Sequence, residues 1–270
     1  GLVSKSFVNE NKINEILSFC KKNFIDTIDT AQDYKKSEVL LGKYNCGHFK
    51  VITKMAKFNN VNVKNPNSFF KKKLFCSLNN LNQENIYGLL FRDPISLISR
   101  DNIAIWNEAK KYKKEGLINK VGITIYSPGE LVKTFNILEP DIVQFPYNIF
   151  DRRIELSGWI EIFKKKKVEM HCRSIFLQGL LLKNKNELPK KFIEYSKTWD
   201  SYHEWLRDNN LSPEEACINF ILKKKEISKI IIGIDNLEQL KKILITRQKS
   251  NYSLFANNNI DQKLIDPRKW

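Results

Sequence analysis

Apolar positions recur along this chain with two periods that take turns. Within residues 9–22, Ile13, Ile16, Leu17 and Cys20 repeat at helical spacing, and Asn9 stands where an N-cap belongs. The run through Phe24, Ile25 and Ile28 predicts a buried strand, followed by a polar loop and a helix over 37–44. A strand over 49–54 follows, then a helix over 66–81 entered through Pro66 and carrying Phe69, Phe70, Leu74 and Leu78. Residues 86–91, IYGLLF, form a continuous apolar run that suits a strand buried on both faces. A helix over 101–115 stops at Gly116, a natural C-cap. Strands over 121–125, 141–144 and 168–172 alternate with helices near 128–137 and over 154–166. Residues 182–210 are polar, contain Pro189, and predict an irregular excursion. A helix over 213–225, a strand over 229–233 and a helix over 236–243 resume the pattern before a tail over 244–270.

Alternating β and α elements joined by short loops predict a parallel sheet covered by helices. A closed barrel and an open doubly wound sheet both satisfy the alternation. No GxGxxG follows the first strand, which counts against the dinucleotide-binding open sheet. Reactive residues at the ends of several strands suit the C-terminal face of a (β/α)8 TIM barrel. The expectation is therefore a single α/β barrel domain over 1–270. About seven strands are legible where such a barrel has eight, and none is legible at Gly1-Leu2-Val3. An N-terminally shortened barrel is expected, its gap beside the Asp29 strand exposing two sheet edges.

Composition narrows the functional classes. With 270 residues, 42% of them hydrophobic, the chain has the material for a substantial core. No apolar run is long enough to span a bilayer, and no signal pattern opens the chain, so no membrane partner is expected. Cys20, Cys46, Cys76, Cys172 and Cys217 are odd in number and lack a CxxC, as expected of reduced thiols in a cytoplasmic protein. His48, His171 and His203 have no metal-ligand spacing, so no metal is expected; His171 reads as a packed core residue. The net charge of +16 comes from short lysine runs spread over predicted amphipathic helices. That spread reads as solvated outer faces rather than a nucleic-acid surface, although the positive field favours anionic ligands such as a phosphorylated cofactor. The oligomeric state is left open.

The candidate chemistry gathers in FIDTIDTAQDYKKSEVLLG, residues 24–42. Asp29 ends the predicted strand, Tyr34 projects from the loop, and the next strand ends in Lys54. A neighbouring ammonium favours the phenolate and makes a phenol a better proton donor, while a carboxylate anchors the lysine. Asp29-Thr30-Ala31, Tyr34, Ser37-Glu38, Leu41-Gly42 and Thr53-Lys54 together resemble the DTAxxYxxSExxLG segment and TK strand of the aldo/keto reductases. The resemblance continues along the chain. Residues 116–124 are similar to the family's GKIRxIGVS, VQFPYN over 143–148 to VQxxYN, RSIFLQGL over 173–180 to YSPLxxGL, and Ile232-Gly233-Ile234 with Glu238-Gln239-Leu240 to IxG…EQL. Any one of these segments also reads as ordinary barrel chemistry, with glycines in turns and amides capping strand ends. Their shared order and spacing favour the family.

The resemblance implies reduction of an aldehyde or ketone by NADPH, with NADH open because the asparagine that often follows EQL is replaced near Ile243. By it, Tyr34 donates the proton, Lys54 lowers its pKa and Asp29 holds Lys54. Thr124 and Gln144 hold the nicotinamide carboxamide, and Arg173, in place of the usual tyrosine, covers the ring. Ser174, Phe176 and Gly179, with Gly233, Asp235 and Gln239, hold the pyrophosphate and adenosine end. The family normally opens with a strand ending in a Gly-Thr that touches the cofactor. Its substrate-binding histidine, in LLHDP, aligns with Arg92 in LFRDP. Arginine also donates, its fixed charge stabilises a developing alkoxide, and its bulk alters substrate size and pH dependence. FLQGLLL and DPRKW resemble a bacterial branch associated with surface-polysaccharide and nucleotide-sugar pathways, which implies a sugar-like small carbonyl substrate. Two other readings stand beside this one. A relative that binds cofactor or serves structurally without turnover fits the missing strand and Arg92. A lyase or isomerase would use Lys54 to form an imine, which the company of Asp29 and Tyr34 disfavours.

Overall fold

The computed structural model describes residues 10–44, 46–56, 65–246, 252–256 and 260–270. Its elements follow the change of period along the chain: α1 (Glu10–Lys22), β1 (Thr27–Asp29), α2 (Ser37–Lys43), β2 (Lys50–Met55), α3 (Pro66–Leu81), β3 (Ile86–Phe91), α4 (Pro94–Leu97) and α5 (Ile103–Lys114). Then come β4 (Ile118–Thr124), α6 (Pro128–Leu138), β5 (Ile142–Pro146), α7 (Arg153–Leu156), α8 (Trp159–Lys165), β6 (Glu169–Arg173), α9 (Ser196–Asp208), α10 (Pro213–Leu222), β7 (Lys229–Ile230), α11 (Leu237–Leu244) and α12 (Gln262–Ile265). The strands stand in chain order in one sheet, and every pairing described is parallel. That is the strand order of a TIM-type α/β barrel, with seven strands among the described residues. The expected gap before the first strand and the Asn9 cap lie outside the described residues. No helix among the described residues is long and apolar enough to cross a membrane.

The chain divides into two compact units. Among the described residues, the first holds 10–144 together with Phe163–Met170; the second holds Phe145–Ile162 and His171–Trp270.

In the first unit, the expected strand from Phe24 begins three residues late. Phe24 adopts φ 58° and is 95% exposed rather than buried. The cause is the end of α1, where the Ile25 N–H donates to Cys20 O at 3.0 Å and the Phe24 N–H to Lys21 O at 3.3 Å. These bonds recruit Phe24 as the left-handed residue that closes the helix. Local chemistry also sets the other helix starts. Asn65 accepts from the Ser68 N–H ahead of α3, and Ser127 with Glu130 forms a capping box on α6. Asp93 accepts from the Ser96 N–H and starts α4, a turn the sequence reading did not anticipate.

Ile52, Leu90 and Ile142, all fully buried, form one layer of the core with Tyr87 packed against it. Gly42 lies where α2 meets the end of α3. A β-carbon there would sit 2.2 Å from Asn80 O and 2.8 Å from the Leu81 carbonyl carbon. Both are backbone atoms and cannot turn aside, which accounts for a glycine in the LLG of the opening motif.

In the second unit, the expected helix over 154–166 is broken into α7 and α8 at Gly158, whose φ is 76°. The excursion after residue 182 is irregular only as far as Tyr195, in short 3-10 turns. It then forms α9, because Trp199, Tyr202 and Leu206 repeat at helical spacing within an otherwise polar stretch. Phe150 packs against Trp199, Tyr202 and Phe255 at centroid distances of 5.4, 5.4 and 5.6 Å. The strand expected over 229–233 is confined to Lys229–Ile230, with one further bond from the Ile231 N–H to Cys172 O at 2.7 Å. At the end of the chain, Asp266 grips Arg268 through two parallel bonds and Trp270 donates to Lys263 O at 3.0 Å. His171 is buried, as expected of a core residue.

Gly42→Ala tests the close approach of α2 and α3. Alanine favours a helix by about 1 kcal/mol, whereas overpacking costs about 1–3 kcal/mol and here meets rigid backbone. The expected outcome is a melting temperature lower by several degrees. Gly129→Ala in α6 is the contrast, because its nearest atom would be Ser127 Oγ at 3.9 Å, an ordinary contact. It should leave the melting temperature unchanged or raise it.

Candidate active site

The first unit carries its reactive residues one step beyond its core layer. Side chains two residues apart on a strand share a face. Ile52, Leu90 and Ile142 of the core are followed two positions later by Lys54, Arg92 and Gln144. Asp29 is the last residue of β1 and Thr124 the last of β4, where Thr124 pairs in register with Gln144. Lys54 is the last residue but one of β2, Arg92 follows directly on β3, and Gln144 lies midway along β5. These residues therefore fall in the C-terminal part of each strand or just beyond it, the end where barrels of this type assemble their sites.

Lys54 is buried and forms an ion pair with Asp29. Its ammonium also donates to Thr30 O at 2.9 Å. The second oxygen of Asp29 accepts from Gln144 Nε2 at 2.8 Å. Both charges thus have hydrogen-bonded partners beyond each other, the condition under which a buried ion pair is tolerated. The chain leaving Asp29 stays against β2, with the Thr30 N–H donating to Ile52 O and the Gln32 N–H to Lys54 O. Gln32 reaches Ser77 Oγ at 2.9 Å and fastens this loop to α3. Glu38, buried at the start of α2, accepts from Thr53 Oγ1 at 2.6 Å. The motif from Asp29 to Gly42 is thereby tied to β2 along its length.

Tyr34 emerges from this loop 47% exposed. Lys54 Nζ lies 5.6 Å from its ring centroid and the Arg92 guanidinium carbon 4.9 Å. Both cations are within cation–π distance of the ring. Arg92 is itself partnered by Asp33, with Nη1 donating to Oδ2 at 2.7 Å. Asp33 and the Thr30 carbonyl were not among the residues picked out from sequence. The clue for Asp33 was its place directly before Tyr34.

The second unit holds the remaining candidates. Arg173 ends β6, and its Nη1 donates to Ser174 Oγ at 3.2 Å. Asn148, buried in the VQFPYN segment, donates to Ser174 O at 3.0 Å and accepts from the Phe150 and Asp151 N–H groups at 2.9 Å each. It clamps the loop after β5 to the loop after β6, a part the sequence reading did not give it. Beyond Phe176, the backbone takes φ values of 46°, 57° and 89° at Leu177, Gln178 and Gly179. Two left-handed non-glycine residues in succession are strained, a feature concentrated at binding sites. Gly233 lies in the loop after β7, with no atom within 4 Å of the place its β-carbon would take. Gln239 turns back on its own loop, its Oε1 accepting from the Asp235 N–H at 2.8 Å. The structure thus brings Asp29, Lys54 and Gln144 into contact, sets Lys54 and Arg92 near the Tyr34 ring, and joins Arg173 to Ser174 and Asp235 to Gln239. The Gly179 N–H donates to Phe176 O at 2.8 Å, and no contact is described that joins this pair or Gly233 to the other candidates.

This strand order and this kit of residues match one family. Residues 3–264 match the aldo/keto reductase family, and the chain belongs to it. Members are oxidoreductases that act on small carbonyl compounds. Among solved structures, the holo form of an aldo-keto reductase from Bacillus halodurans is 19% identical, with a TM-score of 0.71 over 95% of this chain and 91% of its own. The apo form of that protein is 17% identical, with a TM-score of 0.73 over 95% and 90% of the two chains. A glycerol dehydrogenase from Gluconobacter oxydans is 18% identical, with a TM-score of 0.71 over 93% and 88%. At these identities the likeness is one of fold. No curated protein sequence matches the chain.

The loop after β5 also generates a pH prediction. Glu155 accepts from Tyr147 Oη at 3.0 Å, from Arg152 Nε at 2.9 Å, and from Lys224. Burial alone would raise its pKa, but the bonds from Lys224, Arg152 and Tyr147 outweigh burial and hold it below the ordinary glutamate range. A depressed carboxyl stabilises the fold above its unfolded pKa, about 4.3, and loses that contribution as pH falls through the folded value. Glu155→Gln should lower stability at neutral pH by about 1–3 kcal/mol and flatten the loss of melting temperature below about pH 4.5. Thermal melts from pH 7 to pH 3 check both.

Proposed function

We propose that the chain is an NAD(P)H-dependent reductase that converts an aldehyde or ketone, sugar-like in character, to an alcohol, with Tyr34 as proton donor. The observation that carries this reading is the exposed Tyr34 with Lys54 and Arg92 both within cation–π distance of its ring, Lys54 being paired with an Asp29 that Gln144 supports. The donor set fits a nicotinamide cofactor. Gln144 commits its Nε2 to Asp29, which leaves its carbonyl oxygen as the acceptor to offer a carboxamide, beside the Thr124 hydroxyl. In the second unit, the Arg173 guanidinium and the open backbone at Gly233 suit anionic oxygens. Thr124 and Gln144 would hold the carboxamide and Arg173 would cover the ring. Ser174, Phe176, Gly179, Gly233, Asp235 and Gln239 would take the pyrophosphate and adenosine end. NADPH is preferred to NADH as the phosphorylated partner of a basic chain. When bound, it supplies the hydride.

The protein's own residues handle the proton and the charge. Tyr34 Oη donates its proton to the carbonyl oxygen as that oxygen gains negative charge. Lys54 and Arg92 stabilise the phenolate left behind, Asp29 and the Thr30 carbonyl keep Lys54 in place, and Gln144 keeps Asp29 in place. Arg92 also polarises the carbonyl. The chain would act as a single barrel domain in the cytoplasm on a small molecule, without nucleic acid or membrane. Arg92, standing where the family's histidine aligns, is the observation that favours a second reading, a relative that binds cofactor without turnover.

Two measurements separate these readings. NADPH should raise the melting temperature of the folded protein or quench its intrinsic fluorescence. Silence at millimolar NADPH sinks the cofactor assignment. Tyr34→Phe should cut turnover by at least about a hundredfold while cofactor binding persists, because only a hydroxyl is lost. Parent protein that binds NADPH but reduces no carbonyl supports the second reading. Asp29→Asn should cost about 3–5 kcal/mol of stability by leaving Lys54 buried without its counter-charge.

A further inference from the structure

Three arginine–aspartate pairs among the described residues reveal two different uses of the same chemistry. Arg153 meets Asp151 through Nε at 2.8 Å and Nη2 at 2.7 Å, and the Asp151 side chain is 1% exposed. Arg268 meets Asp266 in the same two-pronged way, through Nε at 2.9 Å and Nη2 at 2.6 Å, and the Asp266 side chain is 3% exposed. These are bidentate pairs on buried carboxylates that also hold the local backbone, the geometry in which a guanidinium fork fits a carboxylate best. Arg92 and Asp33 share one bond, from Nη1, and their side chains remain 18% and 41% exposed. Among the described residues, Asp33 is the one hydrogen-bonded partner of that guanidinium. Its remaining N–H donors lie beside the Tyr34 ring, 4.9 Å from guanidinium carbon to centroid.

We propose that Arg92 recognises a carboxylate on the substrate, and that Asp33 is a placeholder carboxylate which the substrate's own displaces or joins. The inference rests on the reading of Tyr34 as the proton donor, since that is what puts the substrate carbonyl beside Arg92. A guanidinium stacked on the ring whose hydroxyl meets the carbonyl lies only a few bonds from the carbonyl carbon. The substrate class is therefore a short oxo acid or a sugar acid, with its carboxylate close to the carbonyl. A neutral sugar would set a hydroxyl against a permanent cation and leave Asp33 in place. Phosphate shares the anionic chemistry, but the group already seated on Arg92 is a carboxylate, and the planar fork matches one. Asp33 keeps the guanidinium paired and aimed while no substrate is bound. It is a positioning residue, not a catalytic one.

The test compares 4-oxobutanoate with butanal, which differ chiefly in the terminal carboxylate, at a fixed NADPH concentration. The parent protein should favour the anion in kcat/KM by about tenfold to a hundredfold, the span of a charge-assisted hydrogen bond. Arg92→Gln should abolish that ratio, mainly through KM for the anion, and Arg92→Lys should restore part of it. Asp33→Asn should lower KM for the anion severalfold while kcat changes little, because the competing carboxylate is gone; a purely structural Asp33 would not produce that split. Glyceraldehyde 3-phosphate against glyceraldehyde forms the second arm, and a larger ratio there than in the first overturns the carboxylate in favour of a phosphate. Calorimetric titration of succinate, which cannot be reduced, reads the site without turnover. Binding that Arg92→Gln removes, in a protein that reduces neither aldehyde, upholds the anion site and defeats the reductase reading. Reduction of both aldehydes at equal efficiency, or a ratio that Arg92→Gln leaves unchanged, overturns the proposal and leaves the reductase reading standing. Absence of both turnover and Arg92-dependent succinate binding overturns both.

Discussion

The buried ion pair between Lys54 and Asp29 constrains everything around it in the first unit. Taking two charges out of water costs several kcal/mol each, and the cost is offset only when their remaining bonding capacity is met. Here the ammonium has Thr30 O and the carboxylate has Gln144 Nε2. Those two partners come from the loop after β1 and from β5, so the pair is satisfied only when distant segments hold their register. Gln144 must pair with Thr124, and the Asp29 loop must keep its bonds to Ile52 O and Lys54 O. Losing any one of these would leave a buried charge short of a partner.

The same register explains why the chemistry sits where it does. Strand side chains alternate, so the face that buries Ile52, Leu90 and Ile142 presents Lys54, Arg92 and Gln144 two residues later. Apolar packing below fixes the height of the polar layer above it. A polar layer standing on such a floor has little freedom to relax. Tyr34 is the exception by design of its position. It comes from a loop, not a strand, and so reaches exposure while Lys54 and Gln144 stay buried.

Arg92 brings a permanent cation to this layer, and the structure accounts for how it is accommodated. A permanent cation next to Lys54 adds positive charge to a site that already has an ammonium. Asp33, one residue before Tyr34, supplies the opposing charge from the exposed side. The second unit solves a different problem with similar means. Asn148 clamps the loop after β5 to Ser174, and the strained turn through Leu177 and Gln178 follows it.

Much of this was legible in the chain because it is written locally. Alternating periods, the Pro66 and Ser127 helix starts, and the motif from Asp29 to Gly42 lie within windows of a few residues, and each has its own short-range cause. The placement of Asp29 and Lys54 at or next to the ends of β1 and β2 followed from the same reading, whereas β5 runs two residues past the Gln144 expected to end it. Three kinds of feature were not legible. Phe24 left its expected strand because the hydrogen bonds closing α1 outweighed its preference for burial. The helix α9 was hidden because three apolar residues on one face are few within a polar stretch, and only Phe150 and Phe255 packing on Trp199 and Tyr202 show what that face is for. The pairing of Asp33 with Arg92 joins residues 59 positions apart, and the support of Asp29 by Gln144 joins residues 115 apart. Sequence determined which residue types would stand at the strand ends, because periodicity and turn chemistry act within a few residues. Which of them touch was decided by strand register and loop path, which exist only once the sheet has formed.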